Sequence, residues 1–493
     1  MPKTRLQWIL ILLLVMVVLI VPLFIFPPKA DVQQDDPWLY MPKKVSHTNH
    51  APLIQGPFAD GPSVTKKCLE CHPEAGKEML NNVHWTWLGK PVLLPGRKDS
   101  VRMGKKVSIN NFCIGIRGNW PPCTACHTGY GWSDENFDFS NENNIDCLVC
   151  HDHSGQYVKG KSGIPPKDVD LVAAAKSVGR PTRLNCGSCH FTGGGGDAVK
   201  HGDLDRSLDF PPERVDVHMG KYNLVCVDCH KGENHQIRGR LMSVSADNEN
   251  QAYCTDCHLE KPHQDERLND HTDAVACQTC HIPKAAVKEA TKIKWDWSEA
   301  GQARPQNPHS YLKIKGSFVY EKGITPKYCW YNGKSDHYLL GDKIDPNKVT
   351  HLNRPLGDIN DPTAKIFPFK VHRAKQIYDK KYNYLIQPKT YGKGGYWTDF
   401  DWQKASRLGM EAVGLKYSGK YGFAETDMCW PLTHMVAPKE KALLCADCHS
   451  ESGTSRKGRL DWKALGYEGD PIFYGGRRVK SHKSNVSTNG EAD

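Results

Sequence analysis

The chain has few of the residues that fill an ordinary protein core. Hydrophobic residues make up 39% of its 493 positions, and the mean hydropathy is −0.58. This length suggests roughly three domains of ordinary size, but so few apolar side chains argue against three conventional hydrophobic cores. A group other than side chains must therefore supply much of the interior.

Cysteine, in contrast, is abundant, and sixteen of the 19 cysteines fall in one recurring pattern, Cys-x-x-Cys-His. Two cysteines at this spacing can form thioethers to the two vinyl groups of a porphyrin, while the adjacent histidine ligates the iron. A zinc array would need motifs in cooperating pairs and would not require a histidine after every second cysteine. The pattern therefore predicts eight covalent haem c cofactors. The attachment residues are Cys68, Cys71 and His72; Cys123, Cys126 and His127; Cys147, Cys150 and His151; Cys186, Cys189 and His190; Cys226, Cys229 and His230; Cys254, Cys257 and His258; Cys277, Cys280 and His281; and Cys445, Cys448 and His449.

The spacing of the motifs predicts how the haems pack. Seven of them lie in residues 68–281 at about 31 residues per haem, so the haems must stack closely and replace the missing apolar core. The intervals are irregular, which excludes a tandem array of one small cytochrome module. We expect a multihaem cytochrome c fold, mostly short α-helices and loops around eight stacked haems.

Composition divides the chain into segments. The haem-free stretch contains alternating runs such as YLKIKGSFVYEK, which are typical of strands, so minor β structure is expected there. The expected segments are an N-terminal signal anchor or transmembrane helix (1–29), a tether (30–61), a haem-dense domain with seven haems (62–281), a haem-free scaffold (282–444), the eighth haem with a C-terminal segment (445–481) and a disordered tail (482–493).

The N-terminus predicts a membrane segment. Lys3 and Arg5 precede an almost wholly apolar run, Ile9–Phe26, that is long enough to span a bilayer. No small-x-small cleavage site follows, although a cleaved signal peptide is the alternative. We therefore expect a single-pass protein of the inner membrane with its haem domain in the periplasm.

The basic composition has a simple explanation. The formal net charge is +10, which in isolation could indicate nucleic acid or an anionic surface as a partner. Each haem brings two propionates against one net positive charge on a ferric porphyrin, so eight haems reduce the charge to about +2. No nucleic-acid partner is expected.

The remaining histidines are candidates for the second axial position of each iron. A haem that only transfers electrons gains from two strong ligands, whereas a haem that performs chemistry needs an exchangeable position. His47 and His50 lie in the tether and are interpreted as solvated. The candidate distal ligands are His84, His201, His218, His235, His263, His271, His372 and His434, with the choice between His263 and His271 open.

Several longer strings resemble the octahaem tetrathionate reductase family of c-type cytochromes. They include HWTW, NNFCIGI, CTACHTGYGW, NIDCLVCHD and CVDCHKGENHQIRGR in the haem-dense part. Others, YLLGDKIDP, PFKVHR and WPLTHMVAPKEKALLCADCH, extend through the haem-free part, so the resemblance exceeds shared attachment motifs. It implies a fold distantly akin to the pentahaem nitrite reductases, with bis-histidine haems and one active-site haem.

The resemblance also implies an active-site lysine. The haem of the second motif should take a lysine as its distal ligand, and Lys159 matches the family position best, with Lys161 as the alternative. The family often places an acidic residue near Gln156. Because glutamine cannot deliver a proton, the source of protons at this site is open.

Three cysteines lie outside the motifs. Cys113 stands in the matching NNFC string, where the family implies a cavity residue that contacts a sulfur or nitrogen substrate; a buried inert thiol or half of a disulfide is the alternative. Cys329 and Cys429 are candidates for a disulfide outside the cytoplasm.

Two functions are compatible with the sequence. The first is a membrane-anchored reductase of tetrathionate, nitrite or hydroxylamine, in which Lys159 and Cys113 serve catalysis. The second is a non-catalytic electron carrier between a quinol-oxidising membrane partner and a terminal reductase. Expected partners are a quinol-oxidising membrane protein or a small electron-donor cytochrome, a small nitrogen or sulfur oxyanion, the membrane itself, and a second copy in a homo-oligomer.

Overall fold

The computed structural model describes residues 7–9, 11–17, 36–41, 46–112, 114–193, 195–247, 249–450 and 458–477. It divides into two compact units. Met1–Met41 and Tyr253–Thr272 form one unit, and Pro42–Ala252 with Asp273–Asp493 form the other. The predicted disordered tail, 482–493, lies outside the described residues.

The predicted membrane helix over Ile9–Phe26 requires correction. In the part of the chain that the structure describes, no helix is long and apolar enough to cross a membrane. The described portion of this run is helical over 11–17, and 18–35 lie outside the described residues. This finding corrects both the predicted fold class and the single-pass inner-membrane location, which depended on that helix.

The smaller unit contains the sixth attachment motif. The turn Cys254–Asp256 is a 3₁₀-helix that opens the motif. A short helix, Glu266–His271, follows, and the Asp265 carboxylate caps it by accepting from the Arg267 N–H. The backbone N–H of His263 donates to the Asn269 side chain at 3.0 Å. This bond links His263 to the helix that ends at His271, the other candidate distal histidine of this unit.

The haem-dense part of the larger unit consists of short helices, as predicted. The longest is Gly61–Leu69, whose first turn is closed by a capping box between Asp60 and Ser63. The others are Pro73–Leu80, Val83–Thr86, Trp120–Cys123, Leu148–His151, Leu171–Lys176, Arg183–His190, Val217–Lys221, Cys226–Cys229 and Cys277–His281.

The haem-free part contains an eight-stranded sheet, more β structure than the sequence indicated. Its centre is the long strand Lys365–Asp379, which pairs antiparallel with Tyr421–Pro431 and parallel with Thr291–Asp296. The other strands are Tyr311–Leu312, Gly316–Glu321, Lys327–Tyr331, Thr350–His351 and Tyr384–Leu385. Two further helices, Tyr396–Asp399 and Trp402–Ala412, follow in the chain, and Cys445–Cys448 and Pro471–Tyr474 flank the eighth haem-attachment histidine.

Aromatic side chains give this sheet a core of its own. Trp295 and Trp297 are each 1% exposed and stack with ring centres 4.5 Å apart. Tyr396 and Trp402 stack in the same cluster at 3.7 Å. The long strand packs against this core through side chains such as Ala374, so the region is filled by protein rather than by cofactor.

Candidate functional site

The second attachment motif is carried by two consecutive short turns. The helix Trp120–Cys123 has prolines at its second and third positions, whose fixed φ favours a first helical turn. A 3₁₀ turn, Thr124–Cys126, continues it, and the Thr124 hydroxyl is within 2.8 Å of the Trp120 carbonyl and 2.6 Å of the Trp132 carbonyl. These contacts direct His127 inward, where it is completely buried.

His127 lies in a cage of aromatic rings. One ring nitrogen, Nε2, is 2.7 Å from the Trp85 carbonyl, while Nδ1 has no hydrogen-bond partner in the described part of the chain. Burial lowers the pKa of His127 to about 3, so the imidazole is neutral, the form that ligates metals. The rings around it, with centres 4.6 to 6.0 Å away, are Trp85, Trp87, Trp132, Phe137 and Phe139.

Lys159 reaches the same place from the loop after the third motif. Its Nζ lies 2.5 Å from the His127 carbonyl and 3.3 Å from the Gly129 carbonyl. It also forms an ion pair of 2.6 Å with Asp146, and the Lys159 side chain is only 6% exposed. The candidate distal lysine and the second motif are therefore in direct contact.

The alternative lysine lies elsewhere. Lys161 is exposed, and its Nζ stands 5.0 Å from the centre of the Tyr391 ring. Gln156 is exposed too, in a turn where its backbone N–H donates to the Ser154 hydroxyl. Contact with the second motif thus favours Lys159 as the candidate.

Asp146 is the carboxylate that the sequence reasoning missed. Its side chain is fully buried and accepts hydrogen bonds from the phenols of Tyr130 at 2.8 Å and Tyr157 at 2.9 Å. Burial, reinforced by the negative charge of Asp146, raises the pKa of both phenols, which therefore remain donors. The available signal was position, since Asp146 directly precedes the third motif at Cys147.

Three motif histidines show the hydrogen bonding expected of metal ligands. The Nδ1 of His151 lies 2.8 Å from the Gly179 carbonyl, and that of His230 lies 2.8 Å from the Arg238 carbonyl. The Nδ1 of His449 is 2.6 Å from the Asp470 carboxylate. Ligating histidines usually donate their other ring N–H to such an oxygen, which directs Nε2 at the metal. These residues fit the axial role that haem c requires.

Three pairs of histidine rings lie at the separation that one iron would span. Metal–nitrogen bonds to histidine are about 2 Å long, so two imidazoles on opposite sides of one iron have ring centres roughly 6 Å apart. The pairs His84–His190 and His230–His434 both measure 6.0 Å, and His50–His72 measures 6.1 Å.

The third of these pairs involves a residue that the sequence reasoning interpreted as solvated. His50 lies in the segment predicted as a tether, yet its ring is 6.1 Å from His72 of the first motif and 5.0 Å from His47. Two closely spaced histidines before the first motif were the available signal. His50 therefore joins His84 and His434 as a candidate distal ligand.

Two further candidates are buried in the protein. His372 is completely buried, its Nδ1 lies 2.9 Å from the Asn111 side-chain oxygen, and its ring stacks on Phe112 at 3.8 Å. Burial lowers the pKa of His372 well below its usual value and that of His201 to about 3, so both are neutral. His372 Nε2 has no hydrogen-bond partner among the described residues.

For the remaining candidate distal histidines, the structure gives a hydrogen bond or a position on a helix. The Nδ1 of His235 lies 2.6 Å from the Glu78 carboxylate, and His218 lies on the helix Val217–Lys221. In the smaller unit, the Nδ1 of His271 is 2.6 Å from the Arg267 carbonyl. The choice between His263 and His271 stays a prediction.

The cysteines outside the motifs do not form the suggested disulfide. Cys329 and Cys429 are both thiols. They lie opposite Phe367 and Val371 of the long strand, four positions apart. This offset amounts to roughly 13 Å at 3.3 Å per residue, beyond the limit of about 7 Å between disulfide-linked Cα atoms. Cys113 lies outside the described residues, so its role stays a prediction.

Comparison with known proteins decides the family. The crystal structure of octahaem cytochrome c from Shewanella oneidensis is 51% identical, with a TM-score of 0.82 over 88% of this chain and 100% of that one. The chain belongs to the octahaem tetrathionate reductase family. The predicted multihaem cytochrome c fold and its eight covalent haem c groups are thereby confirmed. This octahaem cytochrome is an oxidoreductase of electron transport.

Two family models of c-type cytochromes and one further relative also match parts of the chain. Residues 292–452 match the family described as bacterial cytochrome c, and residues 213–282 match cytochrome c7 and related cytochromes c. An uncharacterized protein of Archaeoglobus fulgidus is 27% identical over 224 residues, which cover 35% of this chain and 74% of that protein.

Proposed function

We propose that this octahaem cytochrome reduces a small nitrogen or sulfur compound, namely tetrathionate, nitrite or hydroxylamine, at the haem attached through Cys123 and Cys126. The observation that carries the proposal is the position of Lys159, whose side chain is almost fully buried and whose amine lies against the backbone of His127. Lys159 is the distal ligand in this proposal and His127 the proximal one.

An exchangeable ligand is what separates catalysis from electron transfer. Bound haem supplies one-electron transfer and, at one iron, a position that substrate can occupy. Lys159 can act as such a ligand because its amine must be neutral to donate to iron, and it regains favourable contacts as an ammonium when it leaves. Asp146 and the carbonyls of His127 and Gly129 provide those contacts.

The histidine pairs support a second part of the proposal, in which the other haems transfer electrons to the site of reduction. A pair such as His84 with His190 or His230 with His434 gives a haem two strong ligands and leaves no position for substrate. Several such haems can store electrons for one reaction. Reduction of nitrite to ammonium consumes six electrons and eight protons, more than one encounter with a small donor delivers. The reductant would be a quinol-oxidising membrane protein or a small donor cytochrome.

The decisive experiment exchanges the two loop lysines. Lys159→His places a strong ligand at the open position, so turnover of nitrite or hydroxylamine with a reduced artificial donor should fall at least about 100-fold. Lys161→His, on an exposed side chain two residues away, is the matched control and should keep its activity. Haem content and the spectra of the other seven haems should stay the same in both variants.

The second candidate function is a non-catalytic electron carrier. The histidine pairs near 6 Å favour the carrier, because a protein with two strong ligands on every haem could only transfer electrons. Native protein that binds neither cyanide nor nitrite and turns over no substrate would establish the carrier in place of the reductase. Unchanged turnover in Lys159→His would instead place catalysis at a haem other than the one attached through Cys123 and Cys126.

A further inference from the structure

The amine of Lys159 is surrounded by oxygen atoms. Asp146 Oδ2 lies 2.6 Å from Nζ, the His127 carbonyl 2.5 Å and the Gly129 carbonyl 3.3 Å. An ammonium group offers three N–H donors and no acceptor, so these contacts use all of its hydrogens. A nitrogen bonded in this way has no lone pair for a metal. Contact with the three oxygens and ligation of iron are therefore alternative arrangements of one side chain.

Of the three acceptors around the Lys159 amine, the Asp146 carboxylate is the charged one, and other hydrogen bonds hold it in place. Asp146 Oδ1 accepts from the Tyr130 phenol at 2.8 Å and from the backbone N–H of Val149 at 3.0 Å, while Oδ2 accepts from Tyr157 at 2.9 Å. The Asp146 side chain has no exposed surface. The carboxylate thus cannot follow the amine, and Lys159 is the partner that moves.

We propose that Asp146 is a positioning residue for Lys159, a fixed second place in which the displaced amine is held while an exogenous ligand occupies the iron. This inference rests on the proposed function, in which Lys159 is the distal ligand. When an exogenous ligand bonds to the iron, the nitrogen–iron bond would break and the electron pair would stay on Nζ, which would take up one proton from solvent. Return of the lysine would reverse these changes.

The energetic role of Asp146 follows from burial. If the displaced Lys159 ammonium had no partner in this buried position, it would carry a large desolvation cost. That cost would oppose binding of substrate. A charge-assisted hydrogen bond to a fixed carboxylate removes much of it. Asp146 therefore lowers the free-energy cost of displacing Lys159 from the iron, without contacting the substrate itself.

The test is a double-mutant cycle read by cyanide titration of the oxidised holoprotein. Asp146→Asn keeps the shape and removes the charge of the acceptor, so cyanide affinity should fall roughly five- to tenfold. In a Lys159→Leu background no side-chain donor competes for the iron and no amine needs a second position, so Asp146→Asn should change cyanide affinity less than about twofold. Asp138→Asn, an exposed carboxylate bonded to Ser140, is the matched control and should have no effect.

The outcomes separate the inference from the function on which it rests. An equal effect of Asp146→Asn in both backgrounds overturns the positioning role, because the carboxylate would then act without Lys159. If Lys159→Leu binds cyanide no more tightly than native protein, Lys159 is not a ligand and the proposed function fails as well.

If Asp146→Asn does not mature with its haems, a milder variant can replace it in the test. Tyr157→Phe removes one of the hydrogen bonds that fix Oδ2. It should weaken cyanide binding about twofold to threefold with Lys159 present, and leave it unchanged with Lys159→Leu. No change in either background would contradict the proposal.

Discussion

Residues 62–252 form helices of at most nine residues, whereas residues 282–444 contain strands of up to 15 residues and the main cluster of buried aromatic side chains. In the first region the haems must supply the apolar interior. In the second, Trp295, Trp297, Tyr396 and Trp402 supply it. The same chain therefore contains one region whose folding depends on cofactor and one whose folding depends on its own side chains.

Removal of haem should separate the two regions most strongly. Chain produced without haem attachment should exchange its backbone amides in 62–252 far faster than the holoprotein, because the haems are gone and only small apolar clusters, such as that of Trp87 and Trp132, remain to protect them. Strands of the sheet, such as Lys365–Asp379, should keep their protection. Hydrogen exchange read by mass spectrometry measures both regions in one sample, and equally fast exchange in the sheet would refute the distinction.

Truncation of the sheet core should cost several kcal/mol. Trp295 is 1% exposed and stacks on Trp297, so Trp295→Ala should lower the free energy of unfolding by about 3 to 5 kcal/mol. Denaturant titration followed by far-UV circular dichroism measures it. Val319→Ala, on a neighbouring strand but 44% exposed, is the control and should cost under about 1 kcal/mol. Similar losses in both variants would show that the tryptophan cluster is not the core of the region.

Acid should weaken the sheet region through His337. Burial lowers the pKa of His337 to about 4, so below pH 6.5 the unfolded chain binds a proton that the folded chain does not. This contribution is complete above pH 6.5 and is lost as the pH falls from 6.5 towards 4, amounting to about 2 kcal/mol between pH 7 and pH 5. The difference in stability between native protein and His337→Gln should shrink by this amount at pH 5. A difference independent of pH would contradict it.

The smallest effect is expected from reducing agent. Cys329 and Cys429 are thiols, and burial raises the pKa of Cys429 to about 12, which keeps it protonated and unreactive. Reductant should therefore leave the unfolding midpoint unchanged. Alkylation of denatured, unreduced protein should label both residues, and a cross-linked peptide containing the two would refute this reading of the sheet.

The candidate site around Lys159 shows where sequence reasoning reached its limit. Lys159 could be proposed before the structure because it lies a few residues after a motif and matches a family string. Asp146 was missed although it is only 13 positions away, because its importance comes from the phenols and amine that converge on it. His50 was missed for a similar reason, since the pair of histidines before the first motif was a weak signal and only the fold shows that His50 lies beside His72.

The membrane helix illustrates the opposite error. Hydropathy of Ile9–Phe26 supported a membrane span on length alone, but no helix among the described residues meets that requirement. The extent of the sheet was also underestimated, because pairing between strands far apart in sequence, such as Thr291–Asp296 with Lys365–Asp379, is a long-range property.

The sequence by itself determined the eight haem attachments, the short-helix character of the haem-dense region and the family. Those properties are local, since each attachment needs only two cysteines and the histidine next to the second. Tertiary structure alone decided which distant side chains meet, namely Lys159 with Asp146, His50 with His72 and His230 with His434. The physical reason is that a second axial ligand and a buried ion pair come from any part of the chain, and only packing brings them within bonding distance.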